Sequence, residues 1–115
     1  MMVDSLEMTS ADRELILSQV QKCDEDRVII THGTDSMEVT ANILGREKLN
    51  KTIIITGAMV PYKFGSSDGL FNLGSAVAFA QCLDPGVYVV MNGRFFKYDN
   101  VRKNKQLGIF EEIAP

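Results

Sequence analysis

The residues Thr31-His32-Gly33-Thr34-Asp35-Ser36 gather hydroxyls, an acid and the chain's single histidine between an apolar run and a helical pattern. A Thr hydroxyl beside an Asp at a helix start offers a nucleophile or water-positioning group, an acid, and oriented backbone N–H donors. Such a hydroxyl is a poor nucleophile without a base. A lysine serves as that base where burial or a neighbouring charge lowers its pKa. The same residues also read as a strand end, a turn and an N-cap, and the pattern alone does not choose between the two. For His32 no partner at metal-ligand spacing exists, so a metal site is not expected there.

The flanking elements decide where these groups would sit. "TSADRELILSQVQKC" reads as an amphipathic helix, with Thr9 as N-cap, Asp12 completing an aspartate capping box, and Leu15, Ile16, Val20 and Cys23 toward the core. "RVIITHG" is a continuous apolar run, the pattern of a strand covered on both faces. Thr34 or Asp35 then caps a helix over "SMEVTANILGR", closing near Gly45. "KTIIITGAM" repeats the strand-then-glycine theme, and Pro61 to Ser67 forms a loop. "DGLFNLGSAVAFAQCL" is a third helix, and "GVYVVMNG" is a strand that enters a hairpin turn at Asn92-Gly93. "RKNKQ" reads as a solvated turn. Strands alternating with helices predict an α/β domain with a largely parallel sheet, and such sheets bind ligands at the carboxyl ends of their strands. Those ends carry Thr31 to Asp35, Thr56-Gly57-Ala58 and Met91-Asn92-Gly93.

Composition excludes several classes. At 115 residues, 45% hydrophobic and 23% charged, the chain is expected to form one globular domain. A net charge of -3 gives no electrostatic case for nucleic acid or an anionic membrane. No apolar run approaches ~18 residues, and no basic-then-apolar signal pattern opens the chain. A soluble, cytoplasmic protein is expected. Cys23 and Cys82 lack CxxC spacing and read as buried free thiols. A nucleotide-binding domain is a poor fit, since neither GxGxxG nor GxxxxGK[ST] is present.

Five segments in series carry a resemblance. "ITHGTDSMEVTA" resembles the His-Gly-Thr-Asp-Thr-Met-Glu signature of bacterial-type L-asparaginases, with Ser36 in place of the second Thr. "IIITGAMVP" is similar to that family's Gly-Ala-Met-x-Pro strand end, and "SSDGLFNLGSAV" to its Ser-x-Asp-Gly-x-x-Asn-Leu helix entry. "GVYVVMNGRFF" with "NVRKNK" resembles its Val-x-Asn strand and lysine loop, and "DSLEMTSADRELI" its Asp-Ser-x-x-Met-Thr segment.

The resemblance implies a three-layer, Rossmann-like or flavodoxin-like sandwich over residues 1–115, the family's N-terminal domain. It implies hydrolysis of L-asparagine to L-aspartate and ammonia, with no metal or organic cofactor. Thr34, Asp35 and Lys103 would form a threonine-aspartate-lysine group, and Asp35 would also pair with the substrate α-ammonium. Ser5 and Asp4 would lie at the α-carboxylate, Gly33 would supply backbone N–H groups there, and the Ala58 carbonyl would face the side-chain amide. His32 would be a structural residue of the turn. The family's Thr-Gly-Gly-Thr-Ile strand, with its second reactive threonine, has no counterpart in this sequence. The expectation is therefore a domain shortened at its N-terminus, with an open sheet edge covered by a second copy in a homodimer or larger homo-oligomer. The alternative is a catalytically incomplete domain that binds small amino acids or partners only.

Overall fold

The computed structural model describes residues 8–60 and 67–115. Asp4 and Ser5, and the loop from Pro61 as far as Ser66, lie outside the described residues. The chain order is α1 (Ser10–Lys22), β1 (Arg27–Thr31), α2 (Met37–Arg46), β2 (Thr52–Thr56), α3 (Gly69–Cys82), β3 (Gly86–Met91), β4 (Arg94–Lys97), β5 (Arg102–Asn104) and β6 (Ile109–Glu111).

β1 to β4 form one sheet in the order β1-β2-β3-β4, and β5 pairs with β6 in a separate two-stranded sheet. β1, β2 and β3 are parallel, with Thr31 opposite Thr56 and Ile55 opposite Val89. β4 returns antiparallel through Asn92 and Gly93, whose φ angles of 56° and 74° are the left-handed values a two-residue hairpin turn requires.

The apolar runs are explained by burial from both sides. Along β2 and β3 the side chains alternate. Ile53, Ile55, Val87, Val89 and Met91 join Met37, Ala41 and Leu44 of α2 with Val20 of α1. Ile54, Tyr88 and Val90 turn the other way, onto Ala76 and Ala80 of α3. The period of two therefore builds three layers: α1 and α2, the sheet, and α3.

The local signals hold at α1, where Thr9 and Asp12 form the reciprocal capping box. Its inward stripe differs from expectation. Leu15 is 49% exposed, and Arg13, with Val20, is buried. The stripe runs 13, 16, 17, 20 at helical spacing, and a cation heads it because polar partners wait on α2. The cap of α2 is Ser36 rather than Thr34 or Asp35, and it makes no side-chain cap bond. α2 closes near Gly45 as expected, ending at Arg46, and a Cβ at Gly45 would strike the Tyr98 ring. "RKNKQ" is not simply a turn, since Arg102–Asn104 is strand β5. Nor are both thiols buried. Cys82 is exposed at the last position of α3, and Cys23 is half-buried at the end of α1.

Candidate active site

The carboxyl ends of β1, β2 and β3 lie on one side of the sheet, as parallel register requires. His32 N–H donates to the Thr56 carbonyl at 2.8 Å, carrying the ladder one residue past β1 before the chain turns. Thr34 and Asp35 project from that turn, ahead of α2.

Lys103 reaches them from a distant element. Its Nζ donates to Thr34 Oγ1 at 3.0 Å and to Asp35 Oδ1 at 2.9 Å. The alternation of β5 explains the aim. Val101 is buried and Lys103 half-buried on one face, while Arg102 points outward and pairs with Glu111 at 2.7 Å. Phe110, opposite Lys103, is buried in the core and anchors the β5–β6 hairpin. The lysine side chain keeps 11% of its surface exposed and the Asp35 side chain 37%, so the pair opens to solvent from the acid side. Thr34 is buried. An ammonium held on a hydroxyl oxygen stabilises the negative charge that builds there as the hydroxyl proton leaves.

Gly33 and Ala58 meet elsewhere. Both line a cavity of about 970 Å³ that runs along β1, with Val28, Ile30 and Thr56 on its wall. The structure thus brings Thr34, Asp35 and Lys103 together, and places Gly33 and Ala58 on one neighbouring surface. β1 has a sheet partner on one side only among the described residues.

A second polar group holds the Ala58 segment. Asn72, fully buried, donates from Nδ2 to the Gly57 carbonyl at 2.8 Å and to Asp68 Oδ2 at 3.0 Å, and its Oδ1 accepts from Asn92 N–H at 3.0 Å. Asp68 accepts from the N–H groups of Met59 and Val60 at 3.1 and 3.0 Å. Burial alone would raise the Asp68 carboxyl. Donation from Val60, Met59 and Asn72 outweighs it and holds the group below the usual carboxylate range. Sequence reading assigned these two residues no role. The available signal was an acid at the start of a largely apolar helix with an asparagine four residues on, which places them on one face. The same reading missed Arg13 and Thr40, both buried and polar.

His32 is buried, with Nδ1 2.6 Å from the Gly33 carbonyl oxygen and Nε2 2.8 Å from Thr40 Oγ1. Burial holds its pKa below the ordinary histidine value. Among the described residues its ring bonds to the Gly33 carbonyl and Thr40 and not to Thr34 or Asp35.

Comparison with known proteins places the chain in a family. The chain is 38% identical over 100 residues to a probable L-asparaginase 1 of Schizosaccharomyces pombe, covering 80% of this chain and 28% of that protein. It is 48% identical over 73 residues to a glutaminase-asparaginase of Pseudomonas fluorescens biotype A, covering 60% and 20% respectively. The chain thus spans under a third of the length of these curated relatives. The crystal structure of a probable cytoplasmic L-asparaginase from Campylobacter jejuni superposes with a TM-score of 0.82 at 34% identity, covering 88% of this chain and 34% of that one. The family description "Asparaginase, N-terminal" matches residues 1–110. By that match, and by a fold and a sequence that agree with it, the chain belongs to the asparaginase family.

Proposed function

We propose that this chain carries an amide-hydrolysing site of the L-asparaginase type, converting L-asparagine and water to L-aspartate and ammonia. One observation carries the reading: Lys103 Nζ bridges Thr34 Oγ1 and Asp35 Oδ1 across nearly seventy positions of chain. In this reading the Thr34 hydroxyl, or a water it orients, attacks the side-chain amide carbon. The Lys103 ammonium stabilises the charge on Oγ1 as the proton leaves. That proton goes to the amide nitrogen as the C–N bond breaks and ammonia departs. Where Thr34 itself has attacked, water then hydrolyses the acyl ester to release L-aspartate and restore the hydroxyl. Asp35, the more exposed partner, keeps a carboxylate oxygen for the substrate α-ammonium. Gly33 N–H and the Ala58 carbonyl, on the neighbouring cavity wall, serve the α-carboxylate and the amide. Asp4 and Ser5 complete the α-carboxylate site in this proposal.

Among the described residues β1 has a sheet partner on one side only, which supports association of two copies into a homodimer. Sedimentation equilibrium giving a clean monomer at micromolar concentration would count against it. A cytoplasmic setting is favoured by the description of the Campylobacter jejuni relative. Among the described residues, no helix is long and apolar enough to cross a membrane.

Ammonia release from L-asparagine by the purified chain, beside Lys103→Ala, tests the proposal. Turnover that vanishes in the variant supports it. Absence of turnover in the parent chain, with a thermal midpoint raised by millimolar L-aspartate, would replace it with binding alone.

A further inference from the structure

Behind the reactive turn lies a chain of polar side chains that the proposed chemistry leaves unused. It starts at Arg13 of α1, only 8% exposed. Arginines are almost never this buried unless they are paired. Arg13 makes three donations: Nη2 to Ser36 Oγ at 2.6 Å, Nε to Thr40 Oγ1 at 2.9 Å, and Nη1 to the Met8 carbonyl at 3.2 Å. Thr40 Oγ1 then meets His32 Nε2 at 2.8 Å, and His32 Nδ1 meets the Gly33 carbonyl at 2.6 Å.

The donor inventory fixes the direction of each link. A carbonyl only accepts, so Nδ1 carries the ring proton. In a neutral imidazole Nε2 is then bare and must accept from the Thr40 hydroxyl, whose oxygen lone pairs remain for Arg13 Nε–H. The ring stays neutral chiefly because it is buried, with Arg13 acting in the same sense. The Gly33 carbonyl and Glu38 of α2 act against this and are outweighed.

Gly33 immediately precedes Thr34, and Ser36 immediately follows Asp35. One guanidinium therefore holds both ends of the two-residue reactive stretch, directly at Ser36 and through Thr40 and His32 at Gly33. We propose that Arg13 is a positioning residue for the Thr34-Asp35 turn, acting through these two arms and requiring His32 in its Nδ1–H tautomer. The role in turnover rests on the amide-hydrolysis reading above, whereas the mechanical role does not.

The chain has one histidine, so a long-range ¹H–¹⁵N spectrum shows a single imidazole. In the parent protein it should show Nδ1 protonated and Nε2 bare. Arg13→Met keeps most of the stem and removes all three donors. The ring should then sample both tautomers, and amide exchange at Thr34 and Asp35 should rise by on the order of tenfold or more while β2 stays protected. If the parent turns over L-asparagine, kcat in Arg13→Met should fall on the order of 10- to 100-fold with a smaller change in KM. Arg13→Lys should recover part of each effect. Should Arg13→Met fail to fold, Thr40→Val must reproduce the tautomer and exchange changes, and Thr40→Ser must reverse them. An Nε2–H tautomer in the parent overturns the proposal. So does an Arg13→Met or Thr40→Val protein with parental spectrum and exchange. A parent without turnover overturns the hydrolase reading alone, since spectrum and exchange still decide the role of Arg13.

Discussion

Lys103 and Asp35 form an ion pair at 2.9 Å although 68 positions separate them in the chain. The pair is fixed from the lysine side, by the buried hairpin face, and left open on the acid side. Lys103→Ala should therefore abolish ammonia release, by a factor on the order of 10⁴ or more, as expected for a group that works as a unit. Its thermal midpoint should move little, because Asp35 keeps its contact with water. Turnover at the parental rate in a folded Lys103→Ala protein would refute the assignment.

Asn72 ties α3 to the ends of two strands with one fully buried amide. Truncation to Ala leaves the Gly57 carbonyl and the Asn92 N–H without this partner. Asn72→Ala should lower stability by roughly 2–4 kcal/mol. Urea unfolding should show a lower midpoint with an unchanged slope.

His32 and Asp68 both have folded pKa values below their ordinary ones, the first through burial and the second through N–H donors that overcome burial. For each group the unfolded chain binds its proton at higher pH than the native state does. Stability from His32 is thus complete above about pH 6.5 and declines as pH falls through its depressed value. Asp68 adds a second decline that begins only below about pH 4. Thermal midpoints measured from pH 8 to pH 3 should show both, and His32→Gln should erase the upper one.

Two glycines should respond in opposite senses. At Gly57 a Cβ would collide with the His32 carbonyl oxygen, which is backbone and cannot move aside. Gly57→Ala should destabilise by about 1–3 kcal/mol. Gly74 lies inside α3 with open space around its Cβ position. Gly74→Ala should stabilise by roughly 0.5–1 kcal/mol, through helix propensity alone. Chemical denaturation of the two variants side by side checks the contrast.

The legible parts of this fold are those written in local pattern. Continuous apolar runs marked β1, β2 and β3, the Thr9 and Asp12 pair marked the start of α1, and Asn92-Gly93 marked the hairpin. Thr34 and Asp35 stood out by residue type, although the pattern alone did not separate a reactive pair from a strand end, a turn and a cap. Resemblance alone supplied Lys103, whose β5 looks like a charged turn in isolation. Tertiary partners explain the misses. Arg13 is inward because Thr40 and Ser36 receive it, and Leu15 is displaced outward by the same rotation of the stripe. Gly45 reads as a helix stop and α2 does end beside it, but the close packing of the Tyr98 ring against it, more than fifty residues on, was not legible.

The sheet takes its strands in the order in which the chain is synthesised, from β1 through β4. Each parallel pairing needs only one short crossover, so loop-closure entropy is met in small instalments, and a nascent chain can stack its strands from the N-terminal end onward. The contact between Thr34 and Lys103 is of another kind, spanning 69 positions and delivered by the β5–β6 hairpin, which follows the sheet in the chain. The four-stranded sheet can thus be complete while the Thr34–Lys103 contact still waits for β5 to dock.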